Sequence, residues 1–151
     1  MAQPSQNYLD SKVMTASQPR LHLMLLEGAL RFGKQAQQLW QEESGFAGVD
    51  QSLARVAEIL EELIRSASSG TSEISKSIED QYAAIYHELA NSRVNQDAGK
   101  LEACLELLQY HRQTWKLVSE QVEAEAKPQQ LPGTARIHLD FVPGESFSLE
   151  A

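Results

Sequence analysis

The sequence predicts an all-α fold, an antiparallel up-and-down four-helix bundle, and three observations carry that expectation. Apolar residues recur at helical spacing in four long, separate runs. Short breaks rich in Gly, Ser, Asn and Asp divide the runs, which makes consecutive helices antiparallel neighbours. A length of 151 residues fits one domain, with a core large enough to need no disulfide or metal.

Each element has its own justification. Residues 1–16 are mostly polar and read as an N-terminal arm, with Tyr8 and Leu9 as a large apolar pair. Ser17 suits an N-cap, because its hydroxyl can accept from an orphan amide of the first turn. Pro19 lacks the amide that this turn would leave unpaired. Leu21, Met24, Leu25, Gly28, Phe32, Ala36, Leu39 and Trp40 then set a helix over about 18–43, and "ESGFAGVD" reads as a loop stopped by Gly45 and Gly48. Asp50 is the expected cap of a second helix over about 50–67, striped by Leu53, Val56, Ala57, Leu60, Leu63, Ile64 and Ala67. After "SASSGTSE", Ser72 or Thr71 caps a third helix over about 72–91, with Ile74, Ile78, Tyr82, Ile85 and Leu89. "NSRVNQDAG" is the next connection. A fourth helix over about 98–126 carries Leu101, Cys104, Leu105, Leu108, Trp115, Val118 and Val122, and Pro128 cannot continue it.

Residues 127–151 have no helical period. Ile137, Leu139 and Phe141 alternate with polar residues, as do Phe147 and Leu149, and Pro143-Gly144 suits a type II turn. A lone hairpin is marginal in water, so two readings stand: an unstructured tail, or an extended segment that docks on this chain or on a partner.

Charge and chemistry exclude several classes. The formal net charge of −8 comes without a Lys/Arg cluster, which argues against nucleic acid and anionic membranes as partners. No run approaches the roughly 20 apolar residues of a membrane span. The opening "MAQPSQNYLDSK" lacks the pattern of a secretory signal, and the single cysteine suits a reducing compartment, so a cytoplasmic protein is expected. His22, His87, His111 and His138 show no i, i+3 or i+4 pairing, so no metal site is expected. Cys104 lies on an apolar stripe and reads as a small core residue. Capping accounts for Thr15 and Ser17, and the carboxylates scatter over solvated faces. The chain reads as no enzyme, with no cofactor.

Two features stand apart from this plain picture. Tyr82 and Tyr86 sit one turn apart, and Tyr110 and Trp115 follow on the last helix; they are either core or the rim of a groove. Leu21, Leu23, Met24, Leu25 and Leu26 point in successive directions about 100° apart, more width than one helix stripe needs. Part of that cluster is expected to line an external groove.

With those residues set out, the chain resembles the FliS family of flagellar export chaperones. The family's opening pattern, a tyrosine, a gap, Val-x-Thr-Ala-Ser-Pro-x-x-Leu and Met-Leu-Tyr-x-Gly, is matched by Tyr8, Val13, Thr15, Ala16, Ser17, Leu21, Met24, Leu25 and Gly28. Leu60 and Leu63 resemble its middle helix. Tyr82, Leu89, Val94 and Asp97 follow in register, as do Leu101, Glu102, Leu107, Leu108, Arg112 and Trp115. The likeness covers about residues 8–118. Departures are Gln18 with proline moved to Pro19, Leu26 for a tyrosine, Gln81 before Tyr82, Ser92-Arg93 for Ala-Asn, and a long tail.

The resemblance implies a cofactor-free chaperone of the bacterial cytosol. It would bind the disordered C-terminal helices of flagellin in apolar grooves, prevent premature polymerisation, and present the client to the flagellar export gate. Partner contact on this reading falls to Tyr8, Val13, Leu21, Met24, Leu25, Leu60, Leu63, Tyr82, Leu101 and Leu105, with the arm covering the groove when no client is present. The competing readings are a generic helical adaptor, a homodimer formed through the surplus apolar face, and a chaperone of another secretion system.

Overall fold

The computed structural model describes residues 17–126, which form four helices. They are α1 (Gln18–Glu42), α2 (Phe46–Ser68), α3 (Glu73–Asn95) and α4 (Ala98–Ala126). The expectations about the arm over 1–16, with Tyr8 and Val13, and about the tail over 127–151 lie outside the described residues. Each helix packs on its sequence neighbours and α1 also packs on α4, so the four close a ring in chain order. This is the up-and-down bundle.

Local chemistry sets the boundaries. Ser17 caps α1, its Oγ accepting from the Arg20 amide at 3.3 Å, and Pro19 sits in the first turn. Ser72 does the same for α3, accepting from the Ser75 amide at 3.0 Å. Asp50 does not cap α2. That helix starts at Phe46 after Gly45, whose φ of 111° suits glycine, and no side chain caps it. Val49, inside the added turn, is buried, and Trp40 meets Phe46 edge-on at 5.2 Å across the loop. These contacts favour helix through the stretch expected to be loop, so Gly48 is helical and Asp50 is free for another partner.

The α3–α4 connection is also shorter than expected. The helix runs on through Asn95 to a left-handed Gln96 at φ 49°. Asp97 N–H returns to the Ser92 carbonyl at 3.0 Å, while Ser92 Oγ donates to the Asp97 carbonyl at 2.8 Å. The Asp97 carboxylate then accepts from the Lys100 amide at 3.1 Å, opening α4. Both helices are thus tied through one turn.

The core runs through Leu26, Leu30, Leu53, Val56, Leu60, Leu63, Ile85, Leu89, Leu101 and Leu108. Three small α1 residues, Ala29, Gly33 and Ala36, share a face, and a Cβ at Gly33 would collide with the Leu105 side chain. That trough seats α4 closely on α1. Ion pairs stitch the outer seams: Asp50–Arg93 between α2 and α3 (2.8 Å), Glu27–Arg112 between α1 and α4 (3.4 Å), and Glu88–Lys100 between α3 and α4 (3.2 Å). The Arg93 guanidinium holds the Asp50 carboxyl below its usual range.

The wide apolar arc of α1 has a packing explanation. Because α1 lies between α2 and α4, two neighbours bury it. Leu23 and Leu26 are buried, and Leu21, Met24 and Leu25 are half-buried. Ile74, expected in the core of α3, is instead exposed at the start of that helix. Among the described residues, no helix is long and apolar enough to cross a membrane.

Candidate functional site

The surface of a bundle is informative where it is apolar without a neighbour to cover it. Here that place is the seam between α3 and α4, the most sparsely packed side of the ring. The Glu88–Lys100 pair heads it. Going back along α3 from Glu88, steps of four and three residues reach Ala84, Gln81, Ser77 and Ile74, all exposed. Going forward along α4 from Lys100, matching steps reach Ala103, Leu107, Tyr110, Thr114 and Leu117, also exposed. The helices are antiparallel, so the two stripes run side by side.

Their chemistry differs. Leu107, Tyr110 and Leu117 stand 50%, 66% and 67% exposed and form an apolar ridge; Ile74, at 72%, closes the far end. The α3 bank opposite the ridge carries the short Ala84 and Ser77 and the polar Gln81. The result is a shallow trough with one greasy wall. It is suited to an amphipathic helix or an extended apolar segment.

Beneath the trough lies a polar core. Tyr82 Oη lies 2.6 Å from His22 Nε2. The His22 ring is neutral at pH 7. Burial, with His111 close by, lowers its pKa to about 4. His22 also stacks on Trp115 at 4.1 Å, and Tyr82 packs on His111 at 4.9 Å. Burial lowers His111 as well and raises Tyr82. This chain ties α1, α3 and α4 together.

Cys104 is buried and donates to the Ile85 carbonyl at 3.7 Å. Burial pushes its thiol up to about 11, which leaves little thiolate at neutral pH. Among the described residues, no three His, Cys, Asp or Glu side chains group as a metal site. Two open hollows lie along the α1/α4 seam; charged and polar groups, among them Glu27, Arg31, Lys34 and Arg112, rim them, and Leu30 and Leu105 supply apolar lining.

The residues expected to touch a partner separate into three groups. Leu60, Leu63, Tyr82, Leu101 and Leu105 belong to the core, where no partner reaches them while the helices stay packed. Leu21, Met24 and Leu25 are half-buried on α1, and Tyr8 and Val13 lie outside the described residues. The sequence names Tyr110 as core or groove rim and leaves Leu107 and Leu117, which share its exposed face of α4, out of the partner contacts. Their signal was present: Leu107 and Leu117 fall off the stripe of Leu101, Leu108 and Trp115, and so widen the apolar arc of α4.

The family model described as flagellar protein FliS matches residues 1–122, most of the chain. No curated protein matches the sequence. The chain belongs to the FliS family, a family of flagellar chaperones.

Proposed function

We propose that this chain holds the C-terminal segment of flagellin in the cytosol, keeps it from polymerising early, and hands it to the flagellar export gate. The observation that supports this most is the uncovered ridge of Leu107, Tyr110 and Leu117 facing the short-chained bank of α3. A partner helix laid in that trough would bury Leu107, Tyr110 and Leu117 against its own apolar face, the helix-in-groove mode of recognition. Each large side chain moved out of water contributes roughly 1.5–3 kcal/mol. Ordering a disordered client costs about 2–5 kcal/mol or more, so one ridge gives only a moderate surplus. Leu21, Met24 and Leu25 on α1 offer a second contact, which suits a client that wraps around the bundle. No step needs a cofactor or a covalent intermediate.

Calorimetric titration of the full chain with the C-terminal segment of the flagellin from the same organism tests the reading. One-to-one binding with a negative heat-capacity change, weakened at least tenfold by Leu107→Asp with Leu117→Asp, supports it. A folded chain that gives no heat with soluble segment returns the function to a generic adaptor.

One feature favours a second reading. The spacing 107, 110, 114, 117 is the same in both directions along α4, so two copies could pair antiparallel with Leu107 against Leu117. Sedimentation of the free chain separates this homodimer from a monomeric chaperone.

A further inference from the structure

The trough has a candidate occupant within the chain itself. Ala126 ends α4 beyond Leu117, and 25 residues follow it, 127–151, outside the described structure. The family match stops at residue 122, so this segment is not part of what the family model covers. It carries Leu131, Ile137, Leu139, Phe141, Val142, Phe147 and Leu149, a high apolar load for residues beyond a bundle whose core is already closed.

Reach and spacing both fit. Leu107 lies about 29 Å back along α4 from Ala126. The stretch from Ala126 to Ile137 spans up to about 36 Å when extended, enough to double back along the whole ridge. Pro128 is a residue type that does not continue a helix, and Pro132-Gly133 is a pair that suits a turn. In an extended segment Ile137, Leu139 and Phe141 fall on one side, about 6.8 Å apart, and together cover about 13 Å. On α4 the distance from Leu117 to Tyr110 is about 10 Å, and from Leu117 to Leu107 about 15 Å. Four of the five large exposed apolar side chains among the described residues, Ile74, Leu107, Tyr110 and Leu117, lie along this one seam, whose Leu117 end is the end from which the segment departs.

We infer that residues 137–141 of this chain seat on the α3/α4 trough and compete there with the client; the competition, though not the seating, rests on the proposed function. Tethering supplies an effective concentration of about a millimolar. A contact with an intrinsic Kd of about 0.1 mM is then closed roughly ten times in eleven, which lowers apparent client affinity about tenfold. Release needs only a client that gains more from the same ridge.

Disulfide trapping in the full chain tests the seating. Leu117→Cys with Leu139→Cys is compared with Glu58→Cys with Leu139→Cys, which places the first thiol on the far side of the bundle on α2. Monomeric cross-linking at least tenfold faster for the Leu117 pair supports the inference. Equal rates overturn it, and a cross-link between two copies overturns it in favour of a dimer. The second arm is the full chain with Ile137→Asp, Leu139→Asp and Phe141→Asp, titrated with the flagellin segment beside the unaltered chain. A tenfold gain in affinity supports competition, and unchanged tight binding overturns it. Selective cross-linking with no binding by either chain leaves the seating standing and rejects the chaperone reading instead.

Discussion

The α1/α2 half of the bundle and the α3/α4 half are built from the same helical pattern and used differently. In the first, two long helices bury a wide arc against each other, and the half-buried Leu25, Phe32, Leu39, Trp40, Phe46 and Ile59 pack onto the core. In the second, the helices touch sparsely and leave Ile74, Leu107, Tyr110 and Leu117 in water. The difference teaches that apolar content alone does not separate stability from binding. What separates them is whether a neighbouring helix of the same chain covers the side chain.

Truncating one leucine in each half should give the largest contrast in stability. Leu60→Ala, in the fully buried stripe of α2, should lower unfolding free energy by roughly 2–5 kcal/mol. Leu117→Ala should change it by no more than about 0.5 kcal/mol. Urea midpoints of the two variants decide the matter, and equal losses would mean that the ridge is a structural element.

Acid probes the polar layer under the trough. The folded pKa of His22 lies below its unfolded value, near 4 against 6.5. Above about pH 6.5 both states are neutral and stability is full. As pH falls towards 4, the unfolded chain takes up a proton that the buried ring refuses, and stability falls by about 1.4 kcal/mol per unit. Between pH 7 and 5 the loss should be about 2 kcal/mol, with His111 adding to it in the same direction. Denaturant titrations at the two pH values check this. The loss should shrink in His22→Gln, and a variant with an unaltered loss would assign the effect elsewhere.

A smaller cut sharpens the same point. Tyr82→Phe keeps the ring but leaves the buried His22 Nε2 without the hydroxyl it meets at 2.6 Å, at a cost of about 1–3 kcal/mol. A thermal melt within a degree of the parent would show that the network contributes nothing net. The smallest expected effect has the opposite sign. Ser119 Oγ is buried without a hydrogen-bond partner, so Ser119→Ala should stabilise α4 by about 0.5 kcal/mol. A destabilised variant in the same melt would reveal a bond that this packing does not contain.

The sequence exposed the fold well, because periodicity and caps are local. Ser17 and Ser72 cap as expected, and the inward stripes of α2 and α4 are the core. Two boundaries were not legible. The start of α2 depends on Trp40 meeting Phe46, and the end of α3 on Ser92 closing over Asp97, both contacts across a loop. The site was less legible still. Tyr82 carries the resemblance and lies in the core, whereas Leu107 and Leu117 matter through the absence of a neighbour, which no single helix encodes. Asp50 illustrates the same limit: its short acidic side chain suggests a cap, and its partner Arg93 lies 2.8 Å away in space but 43 residues along the chain.

The pairing of Arg20 with Glu123, at 3.9 Å, places the start of α1 beside the end of α4. Tension applied to the two ends of the bundle would therefore peel adjacent helices apart from one tip, turn by turn, and would not shear them along their length. The first turns to yield include the exposed Arg20–Glu123 pair and the half-buried Leu21 and Val122. A machine that grips either end and pulls meets its resistance in small successive steps, and never the whole core at once.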